Sequence, residues 1–355
     1  MSTLDAAAPT AHPPVFHFTD EHGALRAVLR RFFGTITEAD DATATWRRLL
    51  DEIGMGDILC TGSAEPVGTA IDLAILAEEA GAALYRGPLV STAVGGPLLT
   101  VAGSGAVDGA LLGAGITGLT GHRGGDGVRV NGTAEPVWEL DGAESIVGEL
   151  SIDGERTVVV LNRDTPGVTA TELDGLDPSR SLGRVEFVDA VPDVVITGAT
   201  ALAALRRRGD LVVAAELLGV AQRTFDQTLD YVAGRIQFGR TVGSFQAIKH
   251  RVADLLTQVE LTRSAVYGAA WQLTTAPESP RTDTDLAIAG AMAADTATAV
   301  TRAAVQLHGG IAITWEHWAH RYLRRAHSVV ALTGGAPRYR RRLAELVDLE
   351  DGHRD

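Results

Sequence analysis

The chain has 355 residues, 45% hydrophobic and 21% charged, with a formal net charge of −14. This is the balance of a globular protein of two or three domains with a buried core, and it excludes wholesale disorder. The acidic surplus makes nucleic acid a poor general partner, and a single cysteine, Cys60, excludes an internal disulfide framework and a cysteine-rich metal site.

Met1 to Pro14 has neither the basic region nor the apolar run of a signal peptide, so residues 1–17 read as a disordered lead-in. From residue 18 to 107 the pattern is helical. Thr19 and Asp20 can cap a helix carrying Leu25, Val28, Leu29, Phe32 and Phe33. Spacings of three and four continue through Trp46, Leu49, Leu50 and Ile53, and a third helix is expected over Thr69 to Leu84. An apolar stretch from Leu89 to Val101 follows, and Cys60 reads as a small buried hydrophobe.

Between 108 and 198 glycine and aspartate become frequent and short β-type runs alternate with turn residues. They are 127–132, 145–152, 157–161, 168–171 and 184–188, with Asp153-Gly154 as a hairpin signal. A small β-barrel or sandwich is expected. From 199 to 355 the chain is helical again, with long amphipathic stretches at Leu211–Gly234, Phe245–Leu273 and Thr284–Leu307 and a last helix near Arg338–Leu349. The fold class is therefore α+β: an N-terminal helical domain, a middle β domain and a C-terminal four-helix bundle. No run reaches the roughly 18 apolar residues of a membrane helix, which points to a soluble cytoplasmic protein.

Generic motifs for phosphate loops, dinucleotide folds and zinc sites are absent. His317 and His320 lie three apart, but no carboxylate or third ligand joins them, and they read as structural histidines. The informative stretch is Arg235-Ile236-Gln237-Phe238-Gly239-Arg240, then Phe245-Gln246, then Gln306-Leu307-His308-Gly309-Gly310, then Arg321 to Ala326 with the pair Arg324-Arg325. An arginine can hold a pyrophosphate by paired hydrogen bonds, and a Gly-Gly turn lets backbone approach an anion.

In that order and spacing, these residues resemble the acyl-CoA dehydrogenase family. The resemblance implies FAD as cofactor, an acyl-CoA substrate and electron-transfer flavoprotein as acceptor. It also implies that Arg235, Phe238, Gln246 and the segment Gln306, Leu307, His308, Gly309 and Gly310 contact the ADP part of an FAD held mainly by a neighbouring subunit.

The departures from the family pattern are as specific as the matches. The usual catalytic glutamate, in a turn before the last helix, is Thr333 within Leu332-Thr333-Gly334-Gly335. The minority position for the base, near the start of the first long bundle helix, falls at Gly209-Asp210, where Asp210 is either a displaced base or a plain helix cap. The flavin- and substrate-binding segment is shortened near Gly118 to Arg123, and the loop near Thr61 to Gly68 is trimmed. The strand over the flavin has no clear match near Val137-Trp138-Glu139, and Trp138 reads as core.

Contacts offered to a neighbour's FAD are thus kept, while the chain's own flavin and base residues are lost. By resemblance this is the half-site subunit of an α2β2 enzyme acting on an acyl-CoA, such as a bulky steroid-type one. Two alternatives stand beside it: a homomeric dehydrogenase with a displaced base, and a non-redox acyl-CoA-binding or scaffold protein of the same fold.

Overall fold

The computed structural model describes residues 17–37, 40–59, 68–101, 109–112, 119–125 and 127–347. Residues 1–16, Cys60, residues 61–67 and Gly118 lie outside them.

Five N-terminal helices come first: α1 (Asp20–Gly34), α2 (Ala42–Asp51), α3 (Gly56–Leu59), α4 (Ala70–Ala82) and α5 (Leu89–Val101). Local chemistry sets their starts. Thr19 accepts from the His22 backbone N–H and the His22 ring accepts in return from that of Thr19; Thr69 and Asp72 form the same reciprocal pair on α4. Leu29, Phe32, Phe33, Trp46 and Leu49 pack beneath them, each at most 5% exposed.

Eight strands follow: β1 (Gly109–Leu112), β2 (Thr120–Gly124), β3 (Gly127–Trp138), β4 (Ser145–Ile152), β5 (Glu155–Asn162), β6 (Val168–Leu173), β7 (Leu182–Ala190) and β8 (Val194–Thr197). They form one sheet in the order β6-β7-β3-β1-β4-β5-β8. β1 and β2 share the slot between β3 and β4, one at each end, both antiparallel to β3 and parallel to β4. The β4–β5 hairpin turns at Asp153 and Gly154, with φ of 50° and 87°, as the Asp-Gly signal requires. One face of the sheet gathers Val130, Val137, Ile146, Ile152, Val159, Leu161 and Phe187 into its own core. The other face sets Val147, Val158 and Val160 against Leu202 and Leu205 of the bundle, so β4 is buried on both sides.

The last region holds α6 (Ala199–Gly234), a hairpin of β9 (Ile236–Gln237) and β10 (Arg240–Thr241), α7 (Gln246–Thr275), α8 (Pro280–His308), α9 (Ala319–Thr333) and α10 (Gly335–Leu346). Two expectations are corrected. α6 begins at Ala199, not Leu211, so Asp210 lies inside the helix and is no cap. The Gly209-Asp210 pair does not break it because neighbouring side chains are tied to other elements: Arg207 to Asp283 at 2.9 Å, and Arg208 to the carbonyls of Ile58 and Leu59 at 2.8 and 2.9 Å. The 319–333 stretch, legible only as a motif, is a helix of its own, giving five helices among the described residues of this region.

α4 is buried on nearly every side, crossing α6 through two glycines. A Cβ on Gly81 would sit 2.2 Å from the Glu216 carbonyl oxygen, and one on Gly219 1.9 Å from that of Glu78. No larger residue permits this approach.

Candidate functional site

Two clusters of charged residues lock the regions together. In the first, Glu78 of α4 takes Arg263 of α7 at 2.5 Å and Arg26 of α1 at 2.9 Å, and accepts from the Tyr267 hydroxyl at 2.5 Å. Burial pushes the Glu78 carboxyl up, but the two guanidiniums override it and hold it below its ordinary value.

The second cluster lies where all three regions meet. Arg325 of α9 is 1% exposed and bridges Asp177 of the β6–β7 loop and Glu216 of α6, the latter at 2.7 Å. It also donates to the Ser179 and Tyr85 carbonyls at 2.8 and 3.2 Å. Arg180 reaches the same Glu216 at 2.5 Å and faces Glu139 at 3.6 Å. Glu139 caps α5 by accepting from the backbone N–H and the hydroxyl of Ser91 at 2.8 and 2.7 Å. Burial raises the Glu139 carboxyl, whereas the arginines hold Asp177 and Glu216 low against the same burial.

Trp138 packs into this junction at 4% exposure, with the Arg180 guanidinium 5.0 Å from its ring centroid. The strand Val137-Trp138-Glu139, where the resemblance finds no clear match to the family's flavin-covering strand, is packed against the chain's own side chains.

The two candidate base positions fare no better. The Thr333 hydroxyl donates to the Val329 carbonyl at 2.8 Å within α9, beside the left-handed Gly334 that ends the helix. Asp210 accepts from Arg338 of α10 at 2.9 Å; burial raises its carboxyl and Arg338 pulls it back. Neither presents a free carboxylate to a substrate. His122 and Arg123, in the shortened segment, lie on β2 and face Asp153 and Glu155 at 3.6 and 3.8 Å, exposed on the sheet rim.

The residues expected to contact FAD behave differently. They lie where α6 and α8 end side by side, and the Tyr231 and His308 rings stack there at 4.0 Å between centroids. Arg235, the C-cap of α6, stands between that helix and the β9–β10 hairpin and is exposed, as are Gln246 at the start of α7, Gln306, Gly309 and Gly310. Leu307 is half-buried, and His308 is buried at 6%.

The hairpin turns through Phe238 and Gly239, with φ of 53° and 75°. A left-handed backbone costs a phenylalanine about 1–2 kcal/mol, and its ring is 91% exposed. Sequence reasoning missed the apolar rim beside it: Ile236 (64% exposed), Ile311 (52%), Ile313 (73%) and Trp315 (69%). Apolar residues in the short segments between the long helices were the available signal.

These residues fit the ADP half of FAD. A Cβ on Gly310 would meet nothing within 4 Å, so the chain's own packing does not demand its bareness, whereas Gly309 is required by its φ of 70°. Arg235 and Gln246 supply a cation and an amide beside them. Val137, Trp138 and Glu139 are at most 4% exposed and offer no open surface to a flavin. Among the described residues no three His, Cys, Asp or Glu side chains form a metal site, and no helix is long and apolar enough to cross a membrane.

N-terminal helices, a middle sheet and a long-helix bundle in this order are the architecture of the acyl-CoA dehydrogenases. The family model "Acyl-CoA dehydrogenase, C-terminal domain" matches residues 201–345. Acyl-CoA dehydrogenase IpdE2 of Mycolicibacterium smegmatis is 32% identical over 308 residues, covering 84% of this chain and 86% of the relative. Acyl-CoA dehydrogenase FadE34 of Mycobacterium tuberculosis is 31% identical over 93% of this chain but only 48% of its own length. Among solved structures, the ChsE4-ChsE5 complex from Mycobacterium tuberculosis superposes with a TM-score of 0.78 at 25% identity, over 94% of this chain and 99% of that one. The chain belongs to the acyl-CoA dehydrogenase family, whose cofactor is FAD.

Proposed function

We propose that this chain is one subunit of a heteromeric acyl-CoA dehydrogenase, completing with its bundle end the ADP side of an FAD whose flavin and catalytic base belong to a homologous partner. The observation that carries the reading is the contrast within one chain. Arg235, Gln246, Gly309 and Gly310 stand exposed beside an uncovered apolar rim. Thr333 and Asp210 are bonded internally, and Trp138 is part of the core.

Bound in the assembled enzyme, FAD would supply the acceptor for a hydride leaving the β-carbon of an acyl-CoA thioester. This chain's part is to bind and orient. Arg235 pairs with pyrophosphate oxygens, Gln246 bonds the nucleotide, and the Gly309-Gly310 backbone approaches it without side-chain obstruction. Phe238, Ile311, Ile313 and Trp315 become buried against the partner, each fully buried side chain of this size contributing about 1.5–3 kcal/mol. The family resemblance assigns the α-proton to the partner's carboxylate, a bulky steroid-type acyl group to the substrate and α2β2 to the assembly. Electron-transfer flavoprotein is the acceptor and the compartment is cytoplasmic. The match to a structure described as a two-component complex supports a homologous partner.

Visible absorbance tests this directly. The chain is purified alone and after co-expression with a homologous subunit encoded beside it. Flavin absorbance only in the co-purified complex is the expected result. Flavin held by the chain alone, bleached by an acyl-CoA and no longer bleached in Asp210→Asn, would replace the reading with a homomeric enzyme. Absence of flavin from both samples would favour a non-redox protein of this fold.

A further inference from the structure

The segment between α8 and α9 gathers three imidazoles. The His308 ring, stacked on Tyr231, lies edge-on to His317 at 4.9 Å and to Trp318 at 5.0 Å between centroids. Its Nδ1 is 2.8 Å from the Ala304 carbonyl oxygen, which only accepts, so Nδ1 carries a proton. His320 likewise turns Nε2 to the Trp315 carbonyl at 3.1 Å, its ring stacked beneath the Trp315 indole at 5.6 Å.

His317 differs from both. Its Nδ1 accepts the backbone N–H of Ala319, the first residue of α9, at 3.1 Å. The N-cap residue itself, Trp318, provides no side-chain bond. That N–H is one of the orphan donors of a helix start, and an imidazole nitrogen accepts only while it is unprotonated.

We propose that His317 is a proton-sensitive cap: neutral, it closes the start of α9 and holds the 309–318 segment on the bundle; protonated, it lets that segment go. Three effects act together. Protonation sets a donor against a donor. It places a cation at the positive end of the α9 dipole. It adds charge next to two other imidazoles, none of which is paired with a carboxylate among the described residues.

The groups around the ring come from every neighbouring element. α6 supplies Tyr231 and α8 supplies His308. The first turns of α9 carry His320, Arg321 and Arg324, the last over the Trp315 ring at 4.9 Å. The segment itself carries the exposed Glu316. Burial, then His320, lowers the His317 imidazole below its ordinary value of 6.5; burial lowers His308 as well, against the opposing Ala304 carbonyl and with His317 adding to the fall. The folded state therefore prefers the neutral rings. Their contribution is full above pH 6.5 and is lost as the pH falls below it.

The segment carries Gly309, Gly310, Ile311, Ile313 and Trp315, so its release reaches the surface offered to the partner. That consequence rests on the function proposed above; the capping itself does not.

Amide hydrogen exchange of the full chain, corrected for intrinsic rates, tests the cap between pH 7.5 and 5.5. Protection across 315–322 is expected to fall as the pH drops, by up to about tenfold per pH unit for one coupled proton. His317→Asn keeps an acceptor that does not titrate, and should keep the protection while removing its pH dependence. An equal fall in His317→Asn, or no fall in the natural chain, would overturn the proposal. Nitrogen-15 NMR of the natural chain gives a reading without any variant. His317 as the Nε2–H tautomer titrating below 6.5 supports the cap, and a protonated Nδ1 at pH 7.5 refutes it. FAD retention by the complex over the same range is read separately. A pH-dependent cap with pH-independent retention would remove the link to the partner surface and leave the cap standing.

Discussion

The junction around Arg325 and the bundle end around Gly309 are built from similar residue types and treat them in opposite ways. At the junction, Arg325, Arg180, Asp177 and Glu216 are each at most 6% exposed and joined to one another across three regions of the chain. At the bundle end, Arg235, Gln246 and Gln306 are exposed, and Phe238, Ile313 and Trp315 are 91%, 73% and 69% exposed beside them. A buried charge persists only where its partners are complete, because desolvation would otherwise exceed any gain. An exposed, backbone-strained aromatic is retained where something outside the chain covers it. The first region pairs its charges within this chain, with only Arg180 Nε and Nη1 and Glu216 Oε2 lacking a hydrogen bond; the second leaves its polar and apolar side chains exposed.

Breaking the junction should have the largest effect. Arg325→Met leaves Asp177 and Glu216 without Arg325's charge, and a loss of about 3–5 kcal/mol is expected in chemical denaturation of the chain. A loss under 1 kcal/mol would mean that the junction is hydrated and does not act as a buried network.

Acid probes the same charges. Asp177, Glu216 and Glu78 are held below ordinary values of 3.8, 4.5 and 4.5, so the unfolded chain binds their protons first. Their contribution is full above that range and is lost as the pH falls through it and below. A melting temperature followed from pH 6 to pH 3 should drop most steeply at the acid end, and the drop should be shallower in Arg325→Met.

Gly219→Ala comes next, with about 1–3 kcal/mol or more lost as α4 is forced off α6. Gly310→Ala is its counterpart at the open region and should leave the melting temperature of the chain alone unchanged, since its Cβ meets nothing.

The smallest effect on stability, and the sharpest on function, is expected of Arg235→Ala. Stability should stay within about 0.5 kcal/mol, as for other exposed positions. FAD retention in the co-purified complex should fall about ten- to hundredfold, the equivalent of one charged hydrogen-bonded contact. Full retention would mean that this arginine does not reach the cofactor.

Much of this was legible in the sequence for local reasons. Thr19, Thr69 and Asp153-Gly154 announce helix starts and a hairpin because each satisfies its own backbone within three or four residues. The RxQFG, FQ and QxxGG elements were readable as a constellation because their order and spacing are linear properties. α6 was read twelve residues short because Gly209-Asp210 has the local signature of a helix start, and the ties that override it run to Ile58, Leu59 and Asp283. α9 went unread as a helix for a similar reason, since its charged Arg325 faces inward to Asp177, 148 residues away.

The sequence by itself therefore determined the α-β-α order and the family, and it sets Thr333 where the family resemblance expects a glutamate, all encoded in residues close together or in fixed succession. The tertiary structure alone decided that Trp138, Arg180 and Glu139 pack together in the core, that Asp210 is tied to Arg338, and that Tyr231 near the end of α6 stacks on His308 at the end of α8, with Arg235, Phe238, Gly309 and Trp315 left exposed. Those facts depend on contacts between residues dozens to more than a hundred positions apart, where burial and charge pairing, and not local propensity, set the free energy.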